Sequence, residues 1–275
     1  MLKNNYHTHM RFCNHAIGDV RDYCIEAINC GLNELGMTDH GPIREEFMSD
    51  EDYHRTWSYE NMKESQIDSY LAQINDARLE FGDKLKIYSG FECEYLYGHD
   101  DFYYGLRRRV NFLNLGIHFF QDENKKLYDT YCEVTNETLK YYVNTIEDAL
   151  KTGLYNTLVH PDLFMYDYHN EFGKREFDDE AIKQTRRIIE LAIKYDVYVE
   201  INANGIKNDY DKDFKDFLYP YIDFWRIASE YSDLKVIVGV DAHDPKLLNG
   251  KHLKRIYELI DEVGIKVLDK MTICH

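Results

Sequence analysis

The stretch Lys235-Val236-Ile237-Val238-Gly239-Val240-Asp241-Ala242-His243 reads as a strand buried on both faces that ends in a carboxylate and an imidazole. The same sentence is written elsewhere in the chain. Lys86-Ile87-Tyr88-Ser89-Gly90-Phe91 runs into Glu92, Phe112 to Ile117 runs into His118, and Tyr155 to Val159 runs into His160-Pro161-Asp162. Leu32 to Met37 is followed by Thr38-Asp39-His40 before a Gly-Pro breaker. Val197-Tyr198-Val199-Glu200-Ile201-Asn202 leads to Ala203-Asn204-Gly205. Near the start, Lys3 to Tyr6 delivers His7-Thr8-His9, with His15 a few residues on. Residues two apart on a strand share a face, so His7 and His9 project together. Taken alone, H-x-H fits two ordinary histidines as well as a metal site.

Between these strands lie helical patterns. Asp19 caps a helix that Gly31 stops at Cys30, its apolar residues Val20, Tyr23, Cys24, Ala27 and Ile28 spaced at helical period. Further helices are expected over Tyr59 to Phe81, Asn136 to Thr152, Phe177 to Tyr195, Phe214 to Tyr231 (interrupted near Pro220) and Leu247 to Val263. Gly98 to Arg109 reads as irregular, and its Arg107-Arg108-Arg109 as a solvated face. Ile43 to Tyr59, acidic and aromatic, is long for a connection and reads as a lid or substrate loop. Ile265 to His275 suggests no role. No linker divides the chain, so residues 1–275 are expected to form one domain.

Seven strand–helix units imply a parallel sheet, with an eighth strand in doubt. A closed barrel sets its functional groups at the C-terminal ends of its strands. His7, His9, His40, Glu92, His118, His160, Asp241 and His243 all fall there. Any one of these is explained by structure; eight coincidences point to a polynuclear metal site.

Composition narrows the function. With 275 residues and 44% hydrophobic content a sizeable core can form. A formal net charge of −17 disfavours a nucleic-acid surface. The six cysteines form no C-x-x-C pair, which argues against a zinc ribbon or a redox motif. No apolar run approaches a membrane span and no leader is evident, so a reduced, cytoplasmic setting is expected. Tyrosine is abundant, at 24 residues, and composition assigns it no role.

The motifs H-x-H with a later His, T-D-H, G-x-E, G-x-x-H, H-P-D, E-x-N and D-A-H, in this order and over almost the whole chain, resemble the polymerase and histidinol phosphatase (PHP) family. The segments His160 to Leu163, Glu200 to Gly205 and Asp241 to His243 are most similar to its histidinol-phosphate phosphatases. The resemblance implies a distorted (β/α)7 TIM-like barrel with three divalent ions, of zinc, manganese or iron. It implies one ion held by His7, His9, Glu92 and Asp241, a second by Glu92, His118 and His160, and a third by His15, His40 and His243. The activity implied is hydrolysis of L-histidinol phosphate, in histidine biosynthesis, by attack of a hydroxide bridging two ions. Asp39 is expected to orient a histidine ring. Asp241 and His243 are the candidates for proton handling. Arg11, Asp162 and Asn204 are the candidate substrate contacts, Arg11 for the phosphate and Asp162 for the amine, with Lys207 a weaker phosphate candidate and Glu94 one of the alternative acids. His54, His99, His169, His252 and His275 match no motif and read as surface or loop residues, His54 and His169 near the lid. Two other readings remain open: the same site acting on a nucleotide or a phosphotyrosine protein, and a non-catalytic metal-binding module.

Overall fold

The computed structural model describes residues 2–56 and 60–273. Seven strands hydrogen-bond in the order β1 (Asn4–Asn5), β2 (Glu34–Met37), β3 (Lys86–Cys93), β4 (Phe112–Leu115), β7 (Thr157–Leu158), β8 (Tyr198–Asn202) and β9 (Lys235–Gly239), every pair parallel. The last strand returns to the first. Asp241 N donates to His7 O at 3.0 Å and His9 N to Ala242 O at 2.9 Å, with Thr8 bridged in parallel to Ala242. The result is a distorted (β/α)7 TIM-like barrel, closed at the C-terminal ends of its strands.

Helices α1 (Val20–Cys30), α3 (Ile67–Phe81), α5 (Leu139–Lys151), α6 (Asp179–Lys194), α7 (Ile222–Ala228) and α8 (Lys251–Val263) alternate with the strands, and α2 (Asp50–Arg55) lies in the long connection after β2. The expected start of α1 is sound: the Asp19 carboxylate accepts from Arg21 N and Asp22 N in a capping box, and Gly31 ends the helix at φ 74°. None of the helices described is long and apolar enough to cross a membrane.

Period-2 alternation sorts the barrel interior into tiers. In β3 Tyr88 shares its face with Glu92, and in β8 Tyr198 shares its face with Glu200. The aromatic tier, Tyr6, Tyr88, Phe112, Tyr198 and Ile237, packs with Met271 and Ile273 of the C-terminal tail. That tail is anchored by Leu268 N to Val236 O (2.7 Å) and by Asn4 Nδ2 to Asp269 O (2.7 Å). The segment without an evident role is therefore part of the core; its tail end, Cys274 and His275, lies outside the described residues.

Other expectations are corrected. The stretch after Gly98 is not irregular: Asp100–Arg107 is a helix, α4, that buries Tyr103 and Leu106. Phe112 to His118 is not one strand. It breaks after Leu115, and β5 (Phe119–Gln121) pairs antiparallel with β6 (Leu127–Asp129). The helix expected from Tyr59 begins at Ile67, and Tyr59 itself lies outside the described residues. His252 is buried at 4% exposure, its ring bonded to Leu247 O at 3.0 Å, rather than on the surface.

Candidate metal centre

Each expected ligand leaves a strand end and turns toward one point. The convergence is densest on Glu92. Its Oε2 lies 3.3 Å from both His7 Nε2 and His9 Nε2, and 3.2 Å from His40 Nδ1. Its Oε1 lies 2.8 Å from His160 Nε2 and 3.7 Å from His118 Nε2. Asp241 Oδ1 stands 3.0 Å from His9 Nε2, 3.4 Å from His243 Nδ1 and 3.6 Å from His7 Nε2. His15 Nε2 meets His243 Nε2 at 2.9 Å. All nine candidates are thus brought together. His7, His9, Glu92, His160 and Asp241 are buried, while His15, His40, His118 and His243 are partly open to the mouth. His40 also gathers with His9 and His243, and with Glu92 and His118, so it stands between neighbouring groups.

The rings are held from behind. His7 Nδ1 faces Glu200 Oε2 at 2.8 Å, His118 Nδ1 faces Glu94 Oε1 at 2.5 Å, His15 Nδ1 faces Cys13 O at 3.0 Å, and His243 Nδ1 faces Asp241 O at 3.1 Å. A donor bond at Nδ1 fixes the tautomer that leaves Nε2 bare and inward, as metal-ligating histidines require. Glu200 and Glu94 had no such role in the sequence reading. Alternation could have found Glu94, which shares a face with Glu92, and Glu200 sits in the E-x-N motif. Asp39 accepts from Met10 N (3.2 Å) and His40 N (3.1 Å), and its Oδ1 is 3.8 Å from His9 Nδ1. It braces the loops and is also the carboxylate behind the His9 ring, one of those that raise its pKa.

Two glycines make room for these carboxylates. A Cβ on Gly116 would lie 2.2 Å from Glu92 Oε1, and one on Gly239 would lie 2.1 Å from Glu200 Oε2. His160 (φ 32°) and Asp241 (φ 51°) adopt left-handed backbone without being glycine. Such strain costs on the order of 1–3 kcal/mol per residue and clusters where side chains are aimed for function.

The donor set fits divalent ions. Asp241 Oδ1 is buried and makes no well-angled hydrogen bond, although three imidazole nitrogens surround it. Close approach with poor donor angles is the signature of atoms directed at a shared cation. Electrostatics agrees. Burial raises the Glu92 and Asp241 carboxyls, yet the surrounding imidazoles hold both well below their usual range. Burial depresses His9 and His118, yet the neighbouring carboxylates push them up to about 10 and about 9. The carboxylates demand positive charge, and imidazole with carboxylate suits zinc, manganese or iron.

Above the ligands opens a cavity of about 240 Å³ that includes Thr56, Glu60 and Asn61 from the long connection. Of the lid expected over residues 43–59, Thr56 lines the cavity; Glu60 and Asn61 follow that segment, and residues 57–59 lie outside the described residues. Of the described residues lining this cavity, Lys207 is the sole lysine or arginine. Asn204 lines it too, its Nδ2 donating to Asp241 Oδ2 at 3.1 Å. Two expected substrate contacts are not brought here. Arg11 is exposed, lies over the Phe12 ring at 6.0 Å and does not line the cavity. Asp162 is 0% exposed; its Oδ2 accepts from Tyr221 N (2.6 Å) and Trp225 Nε1 (2.9 Å), and burial pushes its carboxyl up to about 6. It serves the scaffold, and it does not reach the substrate space.

The model of the PHP domain matches residues 5–204, and the chain belongs to that family. It is 24% identical over 264 residues to a Deinococcus radiodurans protein described as "Probable histidinol-phosphatase", spanning 94% of this chain and 93% of that one. It is 23% identical over 258 residues to the histidinol-phosphatase of Bacillus subtilis, spanning 88% and 94%. Among solved structures, the histidinol phosphate phosphatase of Lactococcus lactis, complexed with zinc, L-histidinol and phosphate, superposes with a TM-score of 0.68 at 20% identity, covering 98% of this chain and 96% of that chain. The structural likeness shows a shared fold.

The brace on His7 gives a direct expectation. Glu200→Gln keeps the shape but removes the charge behind the ring, and it is expected to weaken metal retention by roughly 10–100-fold. Titration against a competing chelator measures this, and an unchanged affinity would remove Glu200 from the site.

Proposed function

We propose that this chain is a metal-dependent phosphomonoesterase that hydrolyses L-histidinol phosphate to L-histidinol and phosphate. The observation that carries the reading is the gathering of seven imidazoles with Glu92 and Asp241 beneath a cavity entered by Lys207. The names of the relatives that match nearly end to end support the substrate.

His7, His9, Glu92 and Asp241 would hold one ion, Glu92, His118 and His160 a second, and His15, His40 and His243 a third. Bound divalent ions supply Lewis acidity toward phosphoryl oxygens and lower the pKa of water. The rest of the work belongs to the chain. Lys207 contributes a point charge for the phosphate dianion. Asn202 and Asn204 donate to Asp241 Oδ2 at 3.2 and 3.1 Å, which leaves Oδ1 facing the cluster. Asp241, held ionised, accepts the proton of the attacking water and passes it to the alkoxide released as the P–O bond breaks. His243, its ring tied at Nδ1 to the Asp241 carbonyl, stands beside this exchange. The strong negative charge of the chain keeps nucleic acid an unfavourable substrate.

The test is a panel of phosphomonoesters assayed with metal-replete protein. L-Histidinol phosphate is expected to exceed nucleotides, phosphotyrosine peptides and simple alkyl phosphates in kcat/KM by roughly 10²-fold or more. Equal values across the panel would leave a general phosphoesterase, and no hydrolysis at all would favour a binding module.

A further inference from the structure

Three of the many tyrosines form a feature that the hydrolytic chemistry does not use. Tyr131, just after β6, lies parallel to the His118 ring, with centroids 6.1 Å apart and planes 5° apart. Tyr166 meets Tyr131 edge-on at 5.0 Å and 75°. Tyr219 stands 6.4 Å from Tyr166 and, edge-on, 6.4 Å from His160. The three rings come from three separate connections, yet they draw one arc from one candidate ligand to another.

The arc is built on fixed backbone. Arg175 donates from Nη2 to Met165 O at 2.6 Å and to Tyr166 O, clamping the turn that carries Tyr166. The buried Asp162 carboxylate takes Tyr221 N and Trp225 Nε1 and so pins the segment that carries Tyr219. Tyr219 O lies 2.1 Å from where a Cβ on Gly205 would be, so the segment seats directly on the E-x-N-A-N-G turn. The arc also spans two cavities. Tyr131 lines the one above the ligands, Tyr166 and Tyr219 line a neighbour of about 300 Å³, and the two share Asn204 and Lys207. Core packing alone does not call for Tyr166 to stand 39% exposed at a polar mouth.

We propose that Tyr131, Tyr166 and Tyr219 determine specificity by binding the planar heteroaromatic end of the substrate while its phosphate lies by the ligand cluster and Lys207. The proposal rests on the phosphomonoesterase reading above. Ring faces carry negative charge density and attract flat rings, and cationic ones more strongly. An imidazole joined to a phosphate through a short aminoalkyl chain has that form. The wall is sequence-silent because its members are far apart in the chain and obey no motif.

The test compares L-histidinol phosphate with 2-aminopropyl phosphate, which keeps the phosphate and the amine and lacks the ring. Wild type, Tyr166→Ala, Tyr166→Leu and Tyr166→Phe are assayed at equal metal content, with Tm as the check on folding. The preference for the ring-bearing ester, as a ratio of kcat/KM, is expected to fall about tenfold in the alanine and leucine variants, mostly through KM. Phenylalanine, which keeps the ring face, should restore it. A ratio unchanged in the alanine and leucine variants, or lost equally with phenylalanine, overturns the wall while leaving the substrate assignment standing. A wild type without preference between the two esters overturns that assignment and the wall with it.

Discussion

Glu92→Ala is expected to abolish nearly all turnover, by roughly 10³-fold or more, and to empty two metal positions together. The magnitude follows from geometry. One carboxylate faces five imidazoles, His7, His9 and His40 through Oε2 and His118 and His160 through Oε1. The two carboxylate oxygens thus divide these imidazoles between them. Removing Glu92 would leave two cations facing each other without the anion between them, at a buried position where water screens little. Elemental analysis and steady-state rates on the same preparation decide it. Glu92→Gln separates charge from shape and should lose metal without disturbing the barrel. A Glu92→Ala enzyme with normal metal content and normal rate would show that Glu92 does not bridge.

Metal removal is expected to change how stability depends on pH. Without ions the buried carboxylates draw protons onto the imidazoles instead, lifting His9 to about 10 and His118 to about 9. Histidine in the unfolded chain titrates near 6.5. A group whose pKa is raised by folding contributes its full stabilisation below the unfolded value and loses it as pH climbs through the folded value. The chelated protein should therefore lose stability steadily from about pH 6.5 to 10, with Tm falling by roughly 5–10 °C. The loaded protein should stay nearly flat, because ions take the place of those protons. Chelation should abolish turnover at every pH. Parallel Tm profiles with and without chelator would mean that the cluster neither binds ions nor holds the charge assigned to it.

Most of the candidate ligands were legible because each is a local event: a strand-like run, then His, Asp or Glu; His15 alone sits on a loop, after the first strand. Their order along the chain was enough to set them around a barrel. What supports them was not legible for the opposite reason. Glu200 reaches His7 across 193 residues of sequence, and no periodicity encodes that pairing. The tail's place beneath the aromatic tier rests on contacts as distant, such as Met271 N to Tyr6 OH at 3.3 Å. The β5–β6 hairpin was hidden because Phe112 to His118 reads as one strand with a terminal histidine, which leaves Phe119 to Gln121 without a signal of its own. Its turn, with Lys125 at φ 65°, carries no Asn-Gly or Asp-Gly signal. Asp162 misled because a carboxylate two residues after a ligand invites a role in the site. Sequence does not tell which way that side chain turns, and the indole of Trp225 claims it.

The barrel's closure through Thr8 and Ala242 has a consequence for the life history of the molecule. His7 and His9 follow the strand that opens the barrel, and Asp241 and His243 follow the strand that closes it. The cluster they share is complete only once those two strands have met. Full occupation of the candidate metal centre would therefore wait on closure of the barrel. Ions bound there would tie the first strand of the barrel to the last, so that fraying of the first strand and release of the metal would become one and the same excursion.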